Sequence, residues 1–309
     1  MKSEKLSPRQ LAVAVMVGGM SAGASAAGRA DWRWLLLAAA LGVAAGWLLL
    51  RRVGNRPLHP VLKGIYCIWA VPLMADALTR TAGRIQQGMG GRGGTGWLLV
   101  LLAVPLLWMG WGKAAAFFRA AEILWLGVLA AVAAILLLGA PRMDWRWALE
   151  PAGGWRESLA AGTVIMSTGL FVLPYLHKAE GRTEGGRRGL VWLGALGVLS
   201  AALAALTAGL LSPAVAAELD GPFFAAAGLL GDSARLEGLV SALWLLPDLT
   251  LIGLLARTWG ERRWPALAVA GALALSLTGI MGALPPAALP LGCLALATLT
   301  AALPPGAEK

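Results

Sequence analysis

What this sequence has least of is charge: Asp, Glu, Lys and Arg together make up 14% of 309 residues, while 58% are hydrophobic and the mean hydropathy is +0.71. A water-exposed surface cannot be built from so few ionisable groups, so a soluble globular domain is excluded and lipid is the expected solvent. Cysteine is nearly absent. Cys67 and Cys293 both fall inside apolar runs, which excludes a disulfide framework and leaves them as small buried hydrophobes. The two histidines, His59 and His177, stand in separate loops with no Cys or carboxylate at ligand spacing, so no metal site and no cofactor is expected. No Ser, His and Asp grouping suggests a nucleophilic triad, and the chain does not read as an enzyme.

Basic residues outnumber acidic ones by 26 to 16, a net charge of +10. In a soluble protein that excess suggests nucleic acid. Here Lys and Arg sit in short segments between apolar runs, where they orient the chain in a bilayer, and no nucleic-acid partner follows. The glycine-rich stretch Gly88 to Gly96 superficially resembles a nucleotide-binding loop, but it lies between two apolar runs with no preceding strand and reads as a connecting loop. The fifteen tryptophans, including Trp32, Trp34, Trp145 and Trp147, gather near run ends like an interfacial belt.

What is abundant is apolar runs of a length to cross a hydrocarbon core of about 30 Å as helices. They fall at roughly 10–28, 34–50, 61–83, 97–112, 116–140, 160–176, 189–211, 236–256, 264–282 and 287–303. The expectation is an all-α integral membrane protein of about ten spans forming one domain over 1–309. With the N-terminus in the cytoplasm, inside segments hold 17 of the 26 basic residues, among them Lys2, Arg9, Arg51, Arg52, Arg187 and Arg188, which places both termini inside. A rival reading takes Lys2 to Arg9, the run from Leu11 and Ala24-Ser25-Ala26 as a cleavable signal, against which stands the tandem Gly18-Gly19.

The first run contains Val17-Gly18-Gly19-Met20-Ser21-Ala22-Gly23-Ala24, and glycine costs about 1 kcal/mol per residue in a helix interior. The sixth contains Met166-Ser167-Thr168-Gly169 followed by Pro174, so Met-Ser-x-Gly recurs 146 residues on. Two halves of five spans, 10–140 and 160–303, fit this offset. An odd number of spans per half inverts the second copy, the plan of many secondary transporters, with first and sixth helices broken near the midplane. The freed backbone groups would bind substrate together with Gly18, Gly19, Ser21, Gly23, Ser167, Thr168 and Gly169. The alternative is that these small residues only let helices pack closely.

Ionisable residues inside spans are default functional candidates. Asp76 and Arg80, four apart, and Arg119 and Glu122, three apart, can each form a local structural ion pair. Asp248, beside Pro247 and Thr250, has no basic neighbour at helical spacing. It is the best candidate for proton or cation coupling, with Asp76 second; the alternative is a protonated, hydrogen-bonded Asp.

The order of these features resembles the permease-like B subunit of endospore germinant receptors, a branch of the amino acid, polyamine and organocation transporter superfamily. The resemblance rests on Leu6-Ser7-Pro8-Arg9-Gln10 before the glycine-rich run, Gly112-Lys113 with Arg119-Ala120-Ala121-Glu122, Leu149-Glu150-Pro151, and Arg235-Leu236-Glu237-Gly238-Leu239 leading to Trp244. It implies ten helices in an inverted five-plus-five, LeuT-like arrangement, a pocket for a small nutrient such as an amino acid, and assembly with A-type and C-type subunits in the bacterial cytoplasmic or inner spore membrane. The short loop from Arg51 to Pro60 and the lack of an acidic residue at the centre of the sixth run depart from that family. Two other readings stand beside it: a secondary transporter coupled to protons or cations, and a structural membrane subunit with a vestigial pocket.

Overall fold

A computed structural model describes residues 6–53, 58–88, 94–176, 182–219, 221–231, 235–260, 264–285 and 287–303. His177, Asp220, Asp232, the middle of the glycine-rich loop (89–93) and the basic residues Lys2, Arg56, Lys178, Arg262, Arg263 and Lys309 lie outside them. The described residues form an all-helical protein. Its main helices are α1 (Pro8–Ala26), α2 (Trp32–Val53), α3 (Pro60–Gly88), α4 (Thr95–Trp111), α5 (Ala114–Gly139), α6 (Trp155–Ser167), α7 (Arg182–Leu211), α8 (Arg235–Leu243), α9 (Leu245–Arg257), α10 (Trp264–Leu277) and α11 (Ala288–Ala302).

Among the described residues, six helical segments are long and apolar enough to cross a bilayer: Trp32–Val53, Pro60–Gln87, Ala114–Arg142, Trp155–Tyr175, Arg187–Leu211 and Gly238–Arg257. Thr95–Met109, Trp264–Leu277 and Ala288–Ala302 are apolar but shorter. These helices turn large hydrophobic side chains outward, such as Trp108, Ile123, Leu137 and Val191, as a protein dissolved in lipid does.

α1 is of a different kind, because Leu11 to Ala24 are buried on every side. It starts at a capping box: the Ser7 hydroxyl accepts from the Arg9 N–H at 3.3 Å, the Gln10 side chain accepts from the Ser7 N–H at 3.1 Å, and Pro8 supplies a preset φ. Contrary to the expected break at Gly18-Gly19, α1 runs uninterrupted to Ala26. Its glycines serve close packing. A Cβ at Gly18 would meet the Leu251 backbone of α9 at 3.2 Å, one at Gly19 would collide with Leu196 of α7 and sit 3.1 Å from Thr168 Oγ1, and one at Gly23 would lie 2.5 Å from Ser200 Oγ. Tight packing of neighbouring backbones and side chains against these positions offsets the propensity cost that favours a break.

The second copy of the echo does interrupt its helix. α6 ends at Ser167, residues Thr168–Val172 wind as a 3-10 helix, and a short turn follows at Leu173–Leu176. Pro174 explains this: its ring would clash with the Leu170 carbonyl of a continuing α-helix, and the preceding turn tightens instead. Pro247 acts in the same way on Leu243, dividing α8 from α9 at Trp244. The two halves are therefore not broken at matching places.

Close contacts give helix directions. Gly197, Gly194 and Gly46 meet Ala39, Val43 and Leu190 respectively, so α2 and α7 run antiparallel. Gly162 meets Ala38 and Gly42 meets Met166, so α2 and α6 run parallel. Between α7 and α8, where a plain loop was expected, two short helices form at Pro213–Glu218 and Pro222–Gly228. Phe223 and Phe224 of the second stack with Trp244 at centroid distances of 4.7 and 6.2 Å.

Candidate functional site

Asp248 lies in the first turn of α9, a position created by the Pro247 break and favourable for an anion at a helix N-terminus. It is 3% exposed, and it is held from two other helices. The Ser21 hydroxyl of α1 donates to Oδ1 at 2.6 Å, and Arg84 Nη2 of α3 makes a tight ion pair with Oδ2. The guanidinium carbon of Arg84 stands 4.7 Å from the Phe224 ring centroid. One buried anion thus ties together α1, α3, α9 and the short helix at Pro222–Gly228.

Asp248 has no basic neighbour at helical spacing, and its partner comes instead from another helix. Arg84 is 164 positions away in sequence, outside the reach of any helical-spacing argument. One signal in the sequence does point to it: Asp76, Arg80 and Arg84 repeat every four residues along α3. The Asp76–Arg80 pair forms at 2.9 Å. Glu122, by contrast, pairs with Arg9 of α1 at 3.1 Å, not with Arg119 three residues before it, because the start of α1 packs beside α5 and brings Arg9 within reach; Arg119 is exposed.

These charged groups border a cavity of about 600 Å³ at the C-terminal end of α1. Arg29, Asp76, Arg80, Arg84, Glu157 and Asp248 line it, three cations against three anions. Arg29 and Glu157 carry no local sequence signal that marks them for such a site. The Nε atoms of Arg80 and Arg84 are buried without an acceptor among the described residues. A buried donor left unmatched costs about 1–3 kcal/mol, and a buried ion pair is weak support for stability, so the cluster has the character of a site more than of a brace.

The expected glycine pocket is dispersed. Gly18, Gly19 and Gly23 face packed neighbours, and Ser21 serves Asp248. Ser167 and Thr168 turn their hydroxyls back to the carbonyls of Val164 and Ile165, at 2.7 and 2.8 Å. Ser167 and Gly169 border a second cavity, of about 410 Å³, at the other end of α1. Its lining is apolar apart from Thr163, Ser167 and Cys293. No group of three or more His, Cys, Asp or Glu able to hold a metal ion occurs among the described residues.

No family model matches the chain, and no curated protein matches it.

Proposed function

We propose that this membrane protein binds a small zwitterionic nutrient, such as an amino acid, in the cavity lined by Asp248, Arg84, Arg80 and Asp76. The observation that carries the reading is the balanced lining of three cations and three anions around a buried ion pair, with two guanidinium Nε donors lacking acceptors among the described residues. A ligand carboxylate would pair with the guanidinium groups that line the cavity, and Asp76 or Glu157 would take the ammonium group.

On this reading the chain acts as the permease-like subunit of a germinant receptor, working with A-type and C-type partners in a bacterial cytoplasmic or inner spore membrane. The motif order from Ser7-Pro8-Arg9 to Trp244 supports it. The substrate site moves from the glycines to the Asp248 cluster, while Ser21 keeps a role as the hydroxyl that orients Asp248. A ten-helix, five-plus-five arrangement is compatible with the directions of α2, α6 and α7.

A secondary transporter is the second reading, favoured by one feature: a carboxylate that shares a guanidinium with a substrate site can exchange that partner for a proton or cation as the site fills. Binding of a panel of amino acids to the purified protein, repeated in liposomes, separates the two. Saturable binding without accumulation supports a receptor, and accumulation without partners supports transport. Absence of binding by any amino acid, or unchanged binding in Arg80→Ala, would overturn the proposed site.

A further inference from the structure

The apolar cavity of about 410 Å³ lies between α1, α2, α6, α7 and α11, away from the charged site. Two of its rim residues, Leu41 and Leu294, are 58% and 50% exposed, so it opens sideways on the lipid-facing surface of the helices. A slot of this shape admits an acyl chain. At one end its lining comprises Leu49 and Leu50 of α2 and Gly189 and Leu190 of α7.

The antiparallel register of α2 and α7 decides what stands beyond that end. Ala39 faces Gly197, Val43 faces Gly194 and Gly46 faces Leu190, so each step up α2 is a step down α7. Continued by one more turn, the register sets Leu50 level with Arg187, so Arg51, Arg52, Arg187 and Arg188 stand at the same end of the helix pair. All four are exposed. Arg51 is held with its guanidinium carbon 3.7 Å from the Trp47 ring centroid, and Trp47 is itself 44% exposed on the same surface, an arrangement suited to the headgroup layer.

We propose that this groove is a binding site for an anionic phospholipid, with one acyl chain lying between α2, α7 and α11 and the phosphate on Arg51, Arg52, Arg187 and Arg188. Four cations at the mouth of an apolar slot match a ligand with an anionic head and an apolar tail, and they match a zwitterionic lipid less well. Each arginine at headgroup depth is worth roughly fivefold in affinity. The site is independent of the charged cavity and of what that cavity binds.

Native mass spectrometry of the full-length protein, released from detergent with equimolar phosphatidylglycerol and phosphatidylcholine of identical chains, tests it. Phosphatidylglycerol should be retained at least about fivefold more. The variant Arg51→Gln/Arg52→Gln/Arg187→Gln/Arg188→Gln should lose that preference while its Tm in lipid-free detergent stays unchanged. Ala45→Phe, which fills the slot, should reduce retention of the anionic lipid with all four arginines present. If that variant does not fold, competition by glycerol phosphate, which has the head and no tail, replaces it and should displace no lipid. Equal retention of both lipids, persistence of the preference in the quadruple variant, or displacement by glycerol phosphate would each overturn the proposal.

Discussion

The two ends of α1 border two cavities made on opposite principles. At its C-terminal end the cavity walls carry six ionisable side chains, and Ser21 reaches across to Asp248; at its N-terminal end, from Pro8 to Val15, the walls are hydrocarbon. Between them Gly18 and Gly19 pack closely against Leu251 and Leu196. One helix thus serves as a wall to two cavities of opposite character. Charge within a membrane protein is tolerable where it is paired across helices, and the remaining space is left to lipid-like packing.

The largest effect is expected at Arg84. Arg84→Ala leaves Asp248 buried and unpaired and should destabilise the protein by about 3–5 kcal/mol, read as a fall in Tm in detergent. The double variant Arg84→Met/Asp248→Leu should recover most of that loss, yet bind no amino acid. Full recovery of binding as well would show that the charged cavity is only structural.

Next in size is Ser21→Ala, which removes a hydrogen bond to a charged group and should cost about 1.5–3 kcal/mol by the same measurement. Gly19→Ala probes the close packing of α1 on α7. Leu196 must move to admit the methyl group, and a loss of about 1–3 kcal/mol is expected, where a neutral outcome would mean this packing is looser than its distances suggest. Smallest of all, Glu122→Gln at the partly exposed Arg9 pair should change stability by about 0–1 kcal/mol, with a larger effect at low salt.

Much of the helix inventory is legible in sequence because a run of apolar residues of bilayer length has few alternatives. The start of α1 is legible too, since Ser7, Pro8 and Gln10 encode a cap locally. The glycine cluster misleads, pointing to a break that the helix does not have. Propensity describes a helix alone in solvent, and at Gly18, Gly19 and Gly23 the neighbouring helices override it. The aromatic-bearing short helices between α7 and α8 escape a sequence reading because segments of six or seven residues carry too little periodic signal.

By itself, then, the sequence determined that the chain is helical and lipid-embedded and that Asp76 meets Arg80, because each of these follows from composition or from neighbours within one or two turns; proline alone does not place the breaks, since Pro72 and Pro105 lie inside unbroken helices. Only the tertiary structure decided that Asp248 belongs with Arg84 and Ser21, that Glu122 belongs with Arg9, and that α1 remains whole. Those pairings join positions more than a hundred residues apart, and no local pattern carries the packing of one helix face against another.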